Sequence, residues 1–305
     1  VLKPVCELLG KLDAVLRGVA LAPLEISRLL HARFRLLGIK GVVGMALAGI
    51  DMAAWDALAR SAGLPLARLL GGECVGVQAY NSCGLGLIGA DAAPAEAEAL
   101  VAAGFAAIKV RLGYAELATD IAVVRAVKAA IGDGVHLMSD YNQALTVPEA
   151  VRRVRALADE GLYWIEEPCL AHDDAGHARV RVVSSSPIQI GENWWGPGEM
   201  ATSLAAGASD LGMPDAMKIG GVTGWLQAAA LAESAGMPVS THLFPEVSVH
   251  LMAATPTRHW LEYVDWASAV LAQPLEIRNG KATASEAPGT GIDWDEAAVG
   301  RYLVS

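Results

Sequence analysis

Asp140, Glu166 and Glu192 follow one another at intervals of 26 residues, each at the end of a short apolar run. Such spacing constrains the fold strongly. From about residue 76, β-branched runs alternate with Ala-rich segments of helical periodicity, each pair taking about 25 residues. The patterning predicts strands over 75–82, 106–112, 135–142, 162–168, 188–193, 215–220, 238–244 and 259–264. The intervening helices are expected over 94–103, 117–131, 148–160, 173–183, 197–206, 223–235 and 246–254. Pro148 and Pro197 fall where a first helical turn tolerates proline, and Gly104, Gly161, Gly207 and Gly236 fall where helices end. Eight strands with seven helices between them imply an α/β barrel with an irregular last unit. A doubly wound sheet is the alternative, but no GxGxxG follows the first strand.

The remainder divides around this barrel, assigned to 73–267. Residues 1–72 read as helical, and 268–305 show little periodicity and are expected to return to the N-terminal helices. The chain opens without Met inside a helical pattern, so the natural N-terminus is expected upstream. Hydrophobic residues make up 53% of the chain, and the mean hydropathy of +0.37 raises the question of a membrane. The apolar stretches are broken, however. Asp51 interrupts 41–55, and Gly, Ser and Asn stud 74–90, so neither is expected to span a bilayer. A net charge of −10 without a basic cluster argues against nucleic acid and anionic membranes as partners. Cys6, Cys74, Cys83 and Cys169 show no CxxC spacing and read as reduced thiols of a cytoplasmic protein.

In a parallel barrel, chemistry gathers at the C-terminal strand ends. Those ends carry Ser82, Lys109 and Arg111, Asp140 and Asn142, Glu166, Glu192, Asp215 and Lys218, His242, and Glu262. A single carboxylate there would as readily cap a helix or pair with a lysine. Three in phase converge on one point, and like charges so close need a cation. Oxygen ligands without Cys or His suit Mg²⁺, with Mn²⁺ as a substitute. His242 alone would read as a core or loop histidine. With Asp215 one strand earlier it reads as a His–Asp general base. Lys109 and Arg111 alternate by two and so face the lumen together, where they need carboxylates or an anionic substrate opposite them.

These residues lie in motifs that resemble the mandelate racemase and muconate lactonizing branch of the enolase superfamily, with the racemase subgroup nearest. The motifs are AGIDMAAWDALA (48–59), SDYNQ (139–143), WIEEP (164–168), GENW (191–194), MPDAMKIGGVTGW (213–225), HLF (242–244) and HWLE (259–262), which span most of the chain. The resemblance implies a modified TIM barrel, (β/α)₇β, with an α+β capping domain whose N-terminal strands are absent here. It implies Mg²⁺ at Asp140, Glu166 and Glu192, and a base made of His242 and Asp215. Glu262 would donate, protonated, to the carboxylate of a small acid, while Lys109 neutralises that carboxylate and Ser82 lies near it. Asn142 would stand beside the metal and Lys218 close to the dyad. Homo-oligomers, often octamers, are the family habit.

Two positions depart from the racemase pattern. Arg111 stands where that subgroup has a second lysine acting as a base, and Cys83 stands where it has a histidine. A guanidinium stays protonated and is a poor base. Overall likeness therefore points to a racemase or epimerase of a 2-hydroxy acid, whereas Arg111 points to an acid-sugar dehydratase. A non-catalytic scaffold is the remote third reading. Leu243 and Val264 would make the pocket partly apolar.

Overall fold

In the computed structural model, which describes residues 2–303, four helices precede the first strand. They are α1 (Leu2–Leu16), α2 (Pro23–Arg33), α3 (Gly41–Ala62) and α4 (Leu66–Leu69). Leu12, Ile26, Leu30, Phe34, Leu47 and Ala54 form the shared core of α1–α3, while Leu66 and Ala67 of α4 join the barrel's core. α3 has the length and hydropathy to cross a membrane. It packs instead against α1, α2 and a barrel helix, and it buries Asp51 in doing so. Gly63 ends it at φ +67, returning N–H groups to Ala59 and Arg60 carbonyls, a conformation that glycine adopts at little cost.

The parallel strands are β1 (Gly76–Asn81), β2 (Ala107–Arg111), β3 (His136–Asp140), β4 (Ile165–Glu166), β5 (Ile188–Ile190), β6 (Leu211–Gly212) and β7 (Leu261–Tyr263). The helices among them are α5 (Ala93–Val101), α6 (Leu117–Ile131), α7 (Val147–Ala156), α8 (Asp174–Val183), α9 (Pro197–Ala206), α10 (Gly221–Ala235) and α11 (Pro245–Ala253). β1 to β6 pair in order, and β7 pairs with β1. Single bridges from Gly212 to Val239 and from Val239 to Arg258 close the ring. The expected barrel is present.

Strand alternation builds its interior in layers. Tyr80, Ala107, Met138, Trp164, Leu211 and Trp260 pack together as an apolar floor. Two residues further along the same strands stand Ser82, Lys109, Asp140, Glu166 and Glu262. The intervening Ile108, Ile165 and Leu261, and Leu137 on the same face of β3, pack outward under the helices. One periodicity thus supplies both the dry floor and the polar layer above it.

Three expectations are corrected. The sixth strand is Leu211–Gly212, not 215–220. Asp215 keeps one bridge, to His242, and then its side chain accepts the N–H groups of Met217 and Lys218, which turns the chain. The seventh segment, expected as a strand over 238–244, forms isolated bridges at Val239 and His242, and backbone hydrogen bonds from Pro238 to His242 tie it to both neighbours. Leu243 and Phe244 at φ +49 and +47 end its extension ahead of α11. Beyond 267 the chain is more regular than expected. β8 (Ile277–Arg278) and β9 (Lys281–Thr283) form a hairpin that pairs antiparallel with the start of β1, and α12 (Glu296–Tyr302) follows. Between hairpin and helix, the chain meets α3 and α4 through Thr290 on Asp56 and Arg68 on Glu286.

Candidate active site

Asp140 and Glu166 end β3 and β4, and Glu192 follows β5 after Gly191. One oxygen of each carboxylate lies within 4.8 Å of the others. Gly191 has φ +136, and a Cβ there would meet the Trp194 ring and the Met213 backbone nitrogen under 3.0 Å. Only glycine lets the chain turn at that point and leave Glu192 beside the other two. Asp140 is held by Asn142, whose N–H and side-chain amide donate at 2.7 and 2.9 Å. Burial, then the charge of Asp140, pushes Glu166 well above the usual carboxylate range, although Lys109 opposes this.

Lys109 is buried among three carboxylates, with Nζ at 3.0 Å from Glu166, 2.9 Å from Glu262 and 3.5 Å from Asp140. Burial disfavours its charge, but Glu166 and Glu262 outweigh that and raise its pKa. One ammonium cannot balance Asp140, Glu166, Glu192 and Glu262 together. The surplus of buried negative charge, carried by hard oxygen donors, fits a divalent cation such as Mg²⁺.

Glu262 departs from the neutral donor that the resemblance implies. Burial would raise its pKa, but Lys109, His242 and the Leu243 N–H at 2.8 Å together hold it below the usual range. In this arrangement Glu262 is ionised.

His242 and Asp215 stand at adjoining strand ends, 2.6 Å apart from Nδ1 to Oδ2. With Nδ1 engaged by a carboxylate, Nε2 is the nitrogen free for proton transfer. It points to the acidic cluster, 3.3 Å from Glu192. Burial lowers the basicity of the imidazole, yet the Asp215 hydrogen bond and the neighbouring carboxylates raise its pKa on balance.

Arg111 shares the face of Lys109 but reaches away from the cluster. Its Nη1 donates to the carbonyls of Gly84 at 2.8 Å and Ser82 at 3.3 Å, and its Nη2 donates to the Ser82 hydroxyl at 2.9 Å. Cys83, next to Ser82, is half-buried, and burial pushes its thiol up to about 11. Lys218 does not reach the dyad directly. Its Nζ donates to Asn193 at 2.7 Å. Asn193 and Glu167 are residues that sequence reasoning left out. The signals were their places in GENW and WIEEP, directly after Glu192 and Glu166.

Residues 92–298 match the enolase C-terminal domain-like family, and residues 5–71 match the mandelate racemase / muconate lactonizing enzyme N-terminal domain. The chain belongs to the mandelate racemase/muconate lactonizing branch of the enolase superfamily. It is 35% identical over 264 residues to L-talarate/galactarate dehydratase of Salmonella typhimurium, covering 86% of this chain and 66% of that enzyme. It therefore spans about two thirds of that relative's length. It is also 35% identical over 274 residues to 3,6-anhydro-alpha-L-galactonate cycloisomerase of Streptomyces coelicolor, covering 89% of this chain and 76% of that one. Among solved structures, an enolase from Bradyrhizobium complexed with magnesium and mandelic acid superposes with a TM-score of 0.95 at 46% identity. That match covers 99% of this chain and 83% of the other. Members of this branch thus include enzymes named for different reactions.

Proposed function

We propose that this chain forms the barrel and helical cap of a Mg²⁺-dependent enzyme that removes the α-proton of a small 2-hydroxy carboxylic acid, a racemase- or epimerase-type reaction. One observation carries the reading: the Asp215-backed His242 presents Nε2 to a cluster of three carboxylates, 3.3 Å from Glu192. Asp140, Glu166 and Glu192 would hold the metal. Mg²⁺, when bound, supplies positive charge beside the substrate carboxylate as a second negative charge develops there. The magnesium held by the Bradyrhizobium neighbour supports the choice of ion.

The chain's own residues account for the proton. His242 takes it on Nε2, while Asp215 fixes the tautomer and stabilises the imidazolium that results. The substrate is left as an enediolate. Lys109, already a buried cation, stands ready for its oxygens, so charge develops where a partner is in place. A substrate carboxylate that draws Lys109 away from Glu262 removes the main charge holding Glu262 ionised, and leaves that group suited to donate a proton.

A second reading is elimination of water, with His242 removing the α-proton and then protonating the departing hydroxide. Arg111 favours it. A two-base racemase returns the proton from the opposite face, and Arg111 is a guanidinium committed to carbonyls and to Ser82. Racemisation then draws its second proton from solvent. The mandelic acid in the Bradyrhizobium neighbour supports the first reading, and the dehydratase relative supports the second.

An isotope experiment separates them. Mandelate and a panel of acid sugars are incubated with the protein and Mg²⁺ in D₂O and followed by NMR. Deuterium at the α-carbon with inversion and no keto acid supports racemisation or epimerisation; a 2-keto-3-deoxy product supports dehydration. No exchange in any acid would count against both.

A further inference from the structure

Glu167 is a further carboxylate at the edge of the cluster, and proton abstraction gives it no task. It is buried, and it sits at φ +37, in the left-handed region that residues with a Cβ rarely adopt. Its carboxylate is gripped by the next strand end: Asn193 donates from Nδ2 to Oε1 at 2.8 Å and to Oε2 at 3.0 Å. The same Nδ2 lies 3.2 Å from Oε1 of Glu192. The other end of the amide, Oδ1, accepts from Lys218 Nζ at 2.7 Å. One side chain thus joins carboxylates from the ends of β4 and β5 to a lysine that follows β6.

Only an amide can make this set of contacts. Both carboxylates need a donor and the ammonium needs an acceptor, so a carboxylate or an alkyl group at 193 would satisfy one side or neither. Asn193 also limits how Glu192 can turn. Glu192 is held on Oε1 by the amide, and its Oε2 lies 3.3 Å from His242. Released from the amide, Glu192 is free to swing toward the imidazole, and Glu167 is free to crowd the same cation.

We infer that Asn193 is a positioning residue: anchored by Lys218, it sets the orientation of Glu192 toward the metal and restrains Glu167 from competing with it. This rests on the metal-site reading above. Partners of this kind, which orient a ligand without touching the metal, are worth about 10–100-fold in metal affinity.

The test measures Mn²⁺ binding to the full chain by electron paramagnetic resonance and calorimetry, with thermal melts to verify folding. Asn193→Leu should bind Mn²⁺ about 10–100-fold more weakly. Asn193→Asp, of the same size but without the donor, should bind at least as poorly and serves if the leucine variant misfolds. Adding Glu167→Gln to Asn193→Leu should return the Mn²⁺ resonance spectrum toward that of the wild type, because a neutral amide does not replace Glu192 in the ligand set. Wild-type affinity in either Asn193 variant, or no such return in the double variant, overturns the inference. Glu192→Gln distinguishes the two levels. If it binds Mn²⁺ as the wild type does, the metal site itself is wrong; if it loses Mn²⁺ while Asn193→Leu keeps it, only the role of Asn193 falls.

Discussion

Thr223 donates its backbone N–H to Asp51 at 2.9 Å and its hydroxyl to the same carboxylate, so a residue of the helical cap closes the N-terminus of barrel helix α10. Trp55, one turn along α3, donates its indole N–H to the Thr223 hydroxyl at 3.0 Å. Gly221 makes the approach feasible: at φ +71, a Cβ there would lie 2.5 Å from the Asp51 carboxylate. Two motifs far apart in sequence, AGIDMAAW and KIGGVTGW, therefore meet in one contact. That contact also registers the cap against the turn that carries Asp215 and Lys218.

The contact has a pH signature. Burial, only partly offset by the Thr223 hydroxyl, the Thr223 N–H and the Val222 N–H, pushes Asp51 up to about 6. In the unfolded chain it titrates near about 3.9. Between those values the folded state holds a proton that the unfolded state has lost, so stability falls as pH rises from about 4 to 6, by about 3 kcal/mol in all. Asp51→Asn removes this titration and keeps an acceptor for Thr223. We expect the variant to be at least as stable as the wild type at pH 7, with this descending limb absent from urea unfolding measured at pH 4.5, 6 and 7. An unchanged limb in Asp51→Asn would assign the pH dependence to another group.

A buried ion pair fastens the loop after β2. Asp120 accepts from the N–H groups of Gly113 and Tyr114, from the Tyr141 hydroxyl at 2.9 Å, and from Arg153 at 2.6 Å. Arg153 in turn donates to the carbonyls of Tyr114 and Ala115. Tyr141 directly follows Asp140, so the network steadies the backbone beside the first carboxylate of the cluster. Asp120→Ala leaves the Tyr141 hydroxyl and the Gly113 and Tyr114 N–H groups without their acceptor and Arg153 with Glu149 and two carbonyls alone, and should cost about 3–5 kcal/mol in urea unfolding. A cost of about 1 kcal/mol or less, as for an exposed pair, would show that water reaches Arg153 freely.

How far these features were legible depends on the range of the forces that set them. α6 and α9 occupy the expected 117–131 and 197–206, because apolar periodicity, Pro197 and Gly207 are local signals. The three carboxylates were legible because one strand–helix unit repeats every 26 residues and places each at the same height. The sixth and seventh strands were misjudged for a local reason of another kind. Asp215 bonds its own backbone, and Leu243 and Phe244 turn left-handed, neither of which apolar periodicity reveals. Asn279-Gly280 was readable in principle. Both residues have positive φ, as a type I′ hairpin turn requires, but strands of two and three residues are too short to show alternation. Asn193 was legible only as the neighbour of Glu192 in GENW; its contacts come from three strand ends and exist only once the barrel closes.

Arg111 offers the clearest division between the two products. Its guanidinium satisfies the carbonyls of Ser82 and Gly84 and orients the Ser82 hydroxyl, so it acts as a clamp on the turn after β1. A clamp and a base fail differently. Removing a general base costs about 10²–10⁴-fold in proton transfer. Removing a clamp loosens one turn and leaves His242 able to exchange the proton it faces. Arg111→Met is therefore expected to keep His242-dependent deuterium exchange in D₂O, with a higher KM and a loss in kcat of about tenfold or less, well short of the general-base range. His242→Asn should abolish that exchange. Measured on each enantiomer of the acid separately, a loss of about 10²-fold or more in Arg111→Met for one enantiomer alone would show that Arg111 moves a proton after all, and would return the enzyme to a two-base racemase.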